Sequence, residues 1–441
     1  MKERSLKFTK DLISFIENSP TAFHAVDSIE EILKKDGFLP LNEADVWQLK
    51  AGQGYYVTRN RSSVIAFRVP TDAPHNFLIS ASHTDSPIFK LKENCESTDG
   101  GDCVRLNVEL SGGAILASWL DRPLSLAGRV ILNENGRFTA KNVKFDRDLL
   151  VIPNVAIHQN RKINSEHAFN VAKDMLPVFA LQGENVTTVR ALLAKELSCE
   201  ATQIAGMDLY VVCREKGSIW GANDEFFSAP RIDDLMCAYG TLKGFCGSSP
   251  AARTVTVYFS ADNEETGSQT KQGAGSVFLS DVLARICEAT GGDKRRMLAS
   301  SMMLSADNAH AVHPNYPELS DKQNAPRING GVVIKANATQ KYTTDGFSAA
   351  LFKEICRRAD VPVQRFHNRS DVSGGSTLGN IANTHVPLCT VDFGMAQLAM
   401  HSAYESAGVD DVEHLIRAIK AFYSVRLTSD GDGVYQLENL V

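Results

Sequence analysis

Residues 254–268, TVTVYFSADNEETGS, constrain this chain more than any other stretch. Thr254 to Phe259 are β-branched and aromatic without helical spacing, which predicts a strand. Apolar residue types fill both of its faces, so the strand belongs in the middle of a sheet. It then runs into Asp262, Asn263, Glu264 and Glu265 before Thr266-Gly267 turns the chain away. Adjacent carboxylates just past a buried strand are costly unless something cationic meets them, and a lone pair of glutamates is ordinarily a solvated loop. Here three further predicted strands also run into acids or histidines. NFLISASHTDSP places His83 and Asp85 after 77–82, SSMMLSADNAH places Asp307 after 301–306, and HVPLCTVDFG ends at Gly394 and leads to His401. Ligands of open α/β sheets bind beyond the carboxyl ends of the strands. Four such ends therefore point to one metal site.

The rest of the chain supplies the frame. Phe8, Leu12, Phe15 and Ile16 recur at helical spacing over 5–18; Ser19-Pro20 stops that helix, and Thr21 can cap a second one that ends at Gly37. GYYVTR, SSVIAFRV and FLISASH follow as strands. From 88 to 228 the texture changes to short strands and turn clusters (VRLNVEL, LAGRVIL, RFTAKNV, MDLYVVCR) with one helix over 187–197. From 229 strands and helices alternate again: helix from RIDD, strand 254–260, helix 276–289, strands 301–306 and 331–336, helix 345–358, strand 385–393, helix 410–424. The expected fold is α/β: a three-layer, mixed-sheet domain from residues 1–87 and 229–441, with a smaller β-rich domain, 88–228, inserted in it.

A site holding two divalent ions needs a bridging carboxylate, terminal ligands for each ion and an acid–base group that is not a ligand. His83, Asp233, Glu265, Asp307 and His401 offer the ligands, which leaves Glu264 as the base. Asp85, two residues beyond His83, can accept the second imidazole N–H. Imidazole and carboxylate donors suit zinc, and an oxygen-rich set also admits Mn²⁺ or Co²⁺.

SASHTDSP, RIDD, NEETGS, SADNAHAVHPNY and AMHS, in that order, together with SPTAFHAV and IKANATQKY, resemble the aspartyl aminopeptidase family of dinuclear zinc metallopeptidases. The similarity runs from about residue 10 to 425. It implies that His83 and Asp307 hold one metal, Glu265 and His401 the other, and that Asp233 bridges them. Glu264 is then the general base and Asp85 the group that orients His83. The resemblance further implies that 1–87 and 229–441 form the catalytic metallopeptidase domain and 88–228 an oligomerisation or lid domain, with removal of N-terminal Asp or Glu from peptides and a homo-oligomer, a dodecamer built from dimers through the inserted domain. In that assembly His158 reaches a neighbour's site, and Lys335 lies near the substrate pocket. Two features depart from the pattern: Asp234 stands where relatives commonly carry Asn, and QKYTTDG replaces a QRY segment that is followed by Asn.

Other residues carry blander expectations. Asp234 reads as an acid at a helix N-terminus, stabilised by the helix dipole, in preference to a third bridging ligand. His310 and His313 read as structural groups near the site, His24 as part of the N-terminal helical pair, and His158, on local sequence alone, as a surface residue. The turn at 374–377 (GGST) is equally an anion-holding backbone or a plain loop. The net charge of −6 gives no reason to expect nucleic acid or an anionic membrane as partner, and no apolar run is long enough to span a bilayer. The nine scattered cysteines lack a CxxC pair, and MKERSLKFTKDL has no signal-peptide character, so a cytoplasmic location is expected. Alternatives to the acidic-specific enzyme are a dinuclear-metal deacylase or carboxypeptidase, a broad-specificity aminopeptidase, and a non-catalytic peptide-binding relative; the presence of Glu264 and all five ligands speaks against the last.

Overall fold

In the computed structural model, which describes residues 2–183 and 186–438, the chain divides into two compact units. The first comprises the chain up to Asp85, Gly217–Met400 and the chain from Glu405 onward; the second comprises Ser86–Lys216 and His401–Tyr404.

The first unit is built on a nine-stranded mixed sheet. Its strand order is Leu39–Pro40, Gly54–Arg59, Ser63–Arg68, Thr254–Ala261, Asn76–His83, Met302–Ala306, Cys389–Gly394, Val332–Lys335 and Val363–Phe366. The strands Thr254–Ala261, Asn76–His83, Met302–Ala306 and Cys389–Gly394 are mutually parallel neighbours, so their carboxyl ends emerge together. Every residue of Thr254–Ala261 and Asn76–His83 is buried, as expected for strands covered on both faces.

Alternate side chains feed two cores. Leu78, Tyr258, Leu304 and Phe393 face helices Lys2–Asn18, Ala22–Lys35, Ile232–Cys246, Gly346–Arg358 and Val409–Ser424. Ile79, Val257, Phe259 and Met303 face helices Phe278–Thr290 and Lys294–Ala299 and the short helix Leu378–Ala382. The period of two along each strand thus makes the three layers. Thr21 sits at the N-cap as expected, but its hydroxyl meets His24 Nδ1 at 2.9 Å instead of capping the helix backbone.

The second unit is a six-stranded antiparallel sheet, in the order Arg137–Lys144, Leu124–Glu134, Ile204–Cys213, Ile88–Gly100, Cys103–Ser111, Val178–Leu181. Helix Val189–Leu197 contributes Leu193 to its core, and Thr188 caps it by accepting the Ala191 N–H. The unit ends at Lys216 and not at 228, because Ser218–Trp220 and Phe226–Ala229 pair with each other and then with Glu405–Gly408 of the first unit. The strand expected over 385–393 begins only at Cys389, since residues 383–386 close turns onto the preceding helix.

Candidate metal centre

The carboxyl ends of the central strands deliver their acids to one place. His83 is the last residue of its strand and is buried. Its Nδ1 lies 3.1 Å from the carbonyl oxygen of Asp85, an acceptor only, which fixes the proton on Nδ1 and leaves the Nε2 lone pair facing inward. Nε2 is 3.7 Å from Asp233 Oδ1 and 3.9 Å from Asp234 Oδ2. His83, Asp233, Asp234 and Asp307 each offer a ligand atom within 4.8 Å of the others'. His83, Glu264 and Glu265 form a second such group, and Asp233 and Glu265 oxygens also come within 4.8 Å.

The local sequence explains these placements. Arg231 adopts the left-handed conformation and the helix backbone becomes regular only after Asp234, so Asp233 and Asp234 sit at the helix start facing the strand ends. The Asp233 N–H donates to the buried Glu405 at 2.9 Å. Asn263 takes φ 62°, a conformation asparagine tolerates, which folds Glu264 and Glu265 into a single turn. Asp307 is tied to the neighbouring strand by its N–H to the Phe393 carbonyl at 2.8 Å. Gly394 permits that approach: a Cβ there would lie 1.9 Å from the Asp307 carbonyl oxygen.

Asp85 departs from its expected role. Its carboxylate is 3.5 Å from His83 Nδ1, farther than its own carbonyl, and instead accepts the backbone N–H groups of Glu264 (3.0 Å) and Glu265 (3.1 Å). Asp85 thus orients His83 through its main chain and the two glutamates through its side chain. Asp234 also departs from expectation. It is fully buried, and it accepts the His83 N–H at 3.1 Å. An acid at a helix start is ordinarily solvated, and only the neighbouring Asp233 hinted otherwise.

The electrostatics are those of a site short of positive charge. Burial pushes the Glu264, Asp234 and Asp307 carboxyls above the usual carboxylate range; His83 opposes this at Glu264 and Asp234, and Lys335 opposes it at Asp307. Burial pulls the His83 imidazole down, but Asp234, Asp85 and Glu264 outweigh it and hold it well above its ordinary value. Lys335 is buried, donates to the Asn308 carbonyl at 3.2 Å and lies 3.4 Å from Asp307 Oδ2. Several carboxylates crowded against one lysine and one imidazole are chemically suited to divalent cations, and the imidazole-plus-carboxylate donors suit zinc.

His401 belongs to the second unit, where its Nδ1 lies 2.7 Å from the Gly113 carbonyl. His158 is exposed in the second unit. His313 accepts the Asn315 N–H, and His310 meets the Phe366 ring at 6.0 Å; neither belongs to a metal-capable group among the described residues. Sequence reasoning missed Glu405, Gln397 and Asn308, a buried polar chain that backs Asp233. Gln397 donates to Glu405 at 3.4 Å and Asn308 to Gln397 at 2.8 Å.

A three-layer α/β unit that gathers a histidine and buried carboxylates at the ends of its parallel strands has the construction of a metal-dependent hydrolase. Residues 15–423 match the family described as Aminopeptidase I zinc metalloprotease (M18). The chain is 44% identical over 433 residues to the "Probable M18 family aminopeptidase 2" of Clostridium novyi (strain NT), covering 96% of this chain and 100% of that protein. Its fold matches a protein in the cryo-EM structure of the Ape4 and Nbr1 complex with a TM-score of 0.92 at 36% identity, covering 96% of this chain and 86% of that one. It also matches the S. cerevisiae mApe1 dodecamer structure, with a TM-score of 0.83 at 26% identity over 94% of this chain and 95% of that one. The chain belongs to the M18 family of zinc metallo-aminopeptidases, peptide hydrolases.

Proposed function

We propose that this aminopeptidase uses two divalent ions, zinc by preference, to remove N-terminal acidic residues from peptides. The observation that supports the two-ion reading is that Asp233 belongs to two groups of candidate ligands: its oxygens come within 4.8 Å of ligand atoms of His83 and Asp307 and of a Glu265 oxygen. Asp233 would be shared between the two ions, His83 and Asp307 would hold one, and Glu265 would hold the other with His401, which is assigned on the AMHS motif. When bound, the ions supply Lewis acidity and neutralise the crowded carboxylates. Glu264 is left to move the proton: its carboxylate takes one from the attacking water and returns it to the leaving amine. Burial raises its pKa above the usual carboxylate range, against the pull of His83. Asp85 holds the Glu264 N–H and so sets where that carboxylate stands.

Lys335 supports the acidic preference. It is a buried ammonium at the end of its strand, beside the ligand Asp307 and 5.2 Å from the Tyr342 ring centroid, and a fixed cation is what an entering carboxylate requires. The test is a panel of peptides differing only at the N-terminal residue. Wild type is expected to prefer Asp and Glu, and Lys335→Met to lose kcat/KM for those peptides by about 10- to 100-fold more than for Leu peptides. Equal losses across the panel, or a wild-type preference for apolar N-termini, would remove the acidic specificity. Cleavage that needs no free α-amine would favour a deacylase.

The second unit is read as the assembly domain of a homo-oligomer, a dodecamer built from dimers, with His158 completing a neighbour's site. The dodecameric relative and the exposed Phe138, Val155 and Ile157 support this reading. A fully active monomer in sedimentation would refute it. All nine cysteines are free thiols, which supports a reducing, cytoplasmic location. Among the described residues, no helix is long and apolar enough to cross a membrane.

A further inference from the structure

The geometry points to Asp392 as a positioning residue that clasps together the two loops beside Lys335, residues 341–345 and 373–377, and so sets the substrate subsite. Asp392 lies within the strand Cys389–Gly394 and has no exposed surface. Its Oδ2 accepts both the backbone N–H and the hydroxyl of Thr343, the hydroxyl at 2.6 Å, while its Oδ1 accepts the Thr377 hydroxyl at 2.7 Å. The Asp392 N–H donates to the Thr344 hydroxyl at 2.8 Å. A second tie joins the same loops, because Lys341 Nζ donates to the Gly374 carbonyl at 3.0 Å.

Each residue of the first loop is thereby engaged. Lys341 holds the other loop, Tyr342 lies against the Lys335 ammonium, Thr343 and Thr344 are fixed by Asp392, and Asp345 caps helix Gly346–Arg358 through the Ser348 N–H. The packing leaves no slack on the other side: a Cβ at Gly379, just past Thr377, would come within 2.9 Å of Asp392 Oδ1 and 2.7 Å of Ser305 Oγ. A buried carboxylate that accepts three donors from two loops fixes both loops relative to the sheet, and the sheet carries Lys335. Charge-assisted bonds of this kind are the strong ones. None of these atoms is a metal-ligand atom in the proposed centre, so the clasp should act on substrate binding separately from metal loading.

The inference rests on the aminopeptidase reading, and its test separates the two. Asp392→Asn is isosteric but uncharged: an amide turned to Thr343 would set N–H against the Thr343 N–H, and one turned to Thr377 would keep the contacts only as weaker neutral bonds in place of all three charge-assisted ones. Metal content, kcat and KM are measured for wild type, Asp392→Asn and Thr377→Val on peptides that wild type cleaves. The expected result is wild-type metal content, a KM raised about 10-fold in Asp392→Asn and less in Thr377→Val, and kcat within a few-fold of wild type. Thr377→Val keeps the charge and one arm of the clasp, so it remains informative if Asp392→Asn does not fold. Unchanged KM in the folded variants would overturn the clasp, as would a loss of metal in step with activity. Failure of wild type on every peptide would instead sink the aminopeptidase reading.

Discussion

Gly394→Ala tests how the metal site depends on strand packing. Gly394 has no left-handed backbone to protect, so the effect is one of space alone. The added Cβ would sit 1.9 Å from the Asp307 carbonyl oxygen, 2.5 Å from its carbon and 2.8 Å from Asn308 Cα, where ordinary contact begins at 3.4 Å. Two backbones must therefore part by about 1.5 Å, because no flexible side chain is available to yield. That movement takes the Asp307 N–H to Phe393 bond, now 2.8 Å, out of hydrogen-bonding range. Overpacking costs about 1–3 kcal/mol and the lost bond about 1 kcal/mol more. Metal sites tolerate roughly 0.2 Å in ligand position, so the displaced Asp307 carboxylate should weaken metal affinity by at least the ~10- to 100-fold seen when supporting groups are removed. The assay is zinc retention against a chelator series, alongside melting temperature with and without zinc. Gly346→Ala is the control, since its Cβ would meet nothing within 4 Å. If Gly394→Ala retains zinc as wild type does and melts with it, the proposed coupling between strand approach and ligand position is wrong.

Other expectations follow from the same geometry. Glu264→Gln should keep its metal yet lose at least ~10²-fold in kcat, whereas Glu265→Gln should lose metal; equal metal loss in both would reverse the assignment. Asp85→Ala frees the Glu264 and Glu265 N–H groups and should lower kcat with the protein still folded, as circular dichroism would show. In the second unit, burial raises the Asp208 pKa, but Lys90 and Arg129, each 2.9 Å away, outweigh it and hold it below the usual value. The stabilisation is therefore full above about pH 4 and lost as pH falls through the lowered folded-state value. Asp208→Asn should flatten the decline of melting temperature across that range; an unchanged acid profile would show that the pair contributes nothing.

Much of this was legible in the sequence, for a physical reason. A buried parallel strand is a run of apolar residues, and the polar residues at its carboxyl end stand out against it, so His83, Glu264, Glu265 and Asp307 could be read directly. Burial contributed by distant elements could not. Asp234 looks like any helix-start acid until the strand ends close over it, and Glu405 and Gln397 lie far along the chain from the Asp233 they support. The choice between the Asp85 carbonyl and carboxylate as partner of His83 depends on about half an ångström, which no spacing rule resolves. In the second unit, the strand Ile88–Gly100 escaped notice because much of KENCESTDG is exposed and shows no apolar alternation.

The central claim is a two-ion centre bridged by Asp233. It is tested most directly by elemental analysis of metal-replete protein, wild type beside Asp233→Asn. Two divalent ions per chain in wild type, with both lost or weakly held in the variant, is the predicted result. One ion or none in active wild-type protein would contradict it.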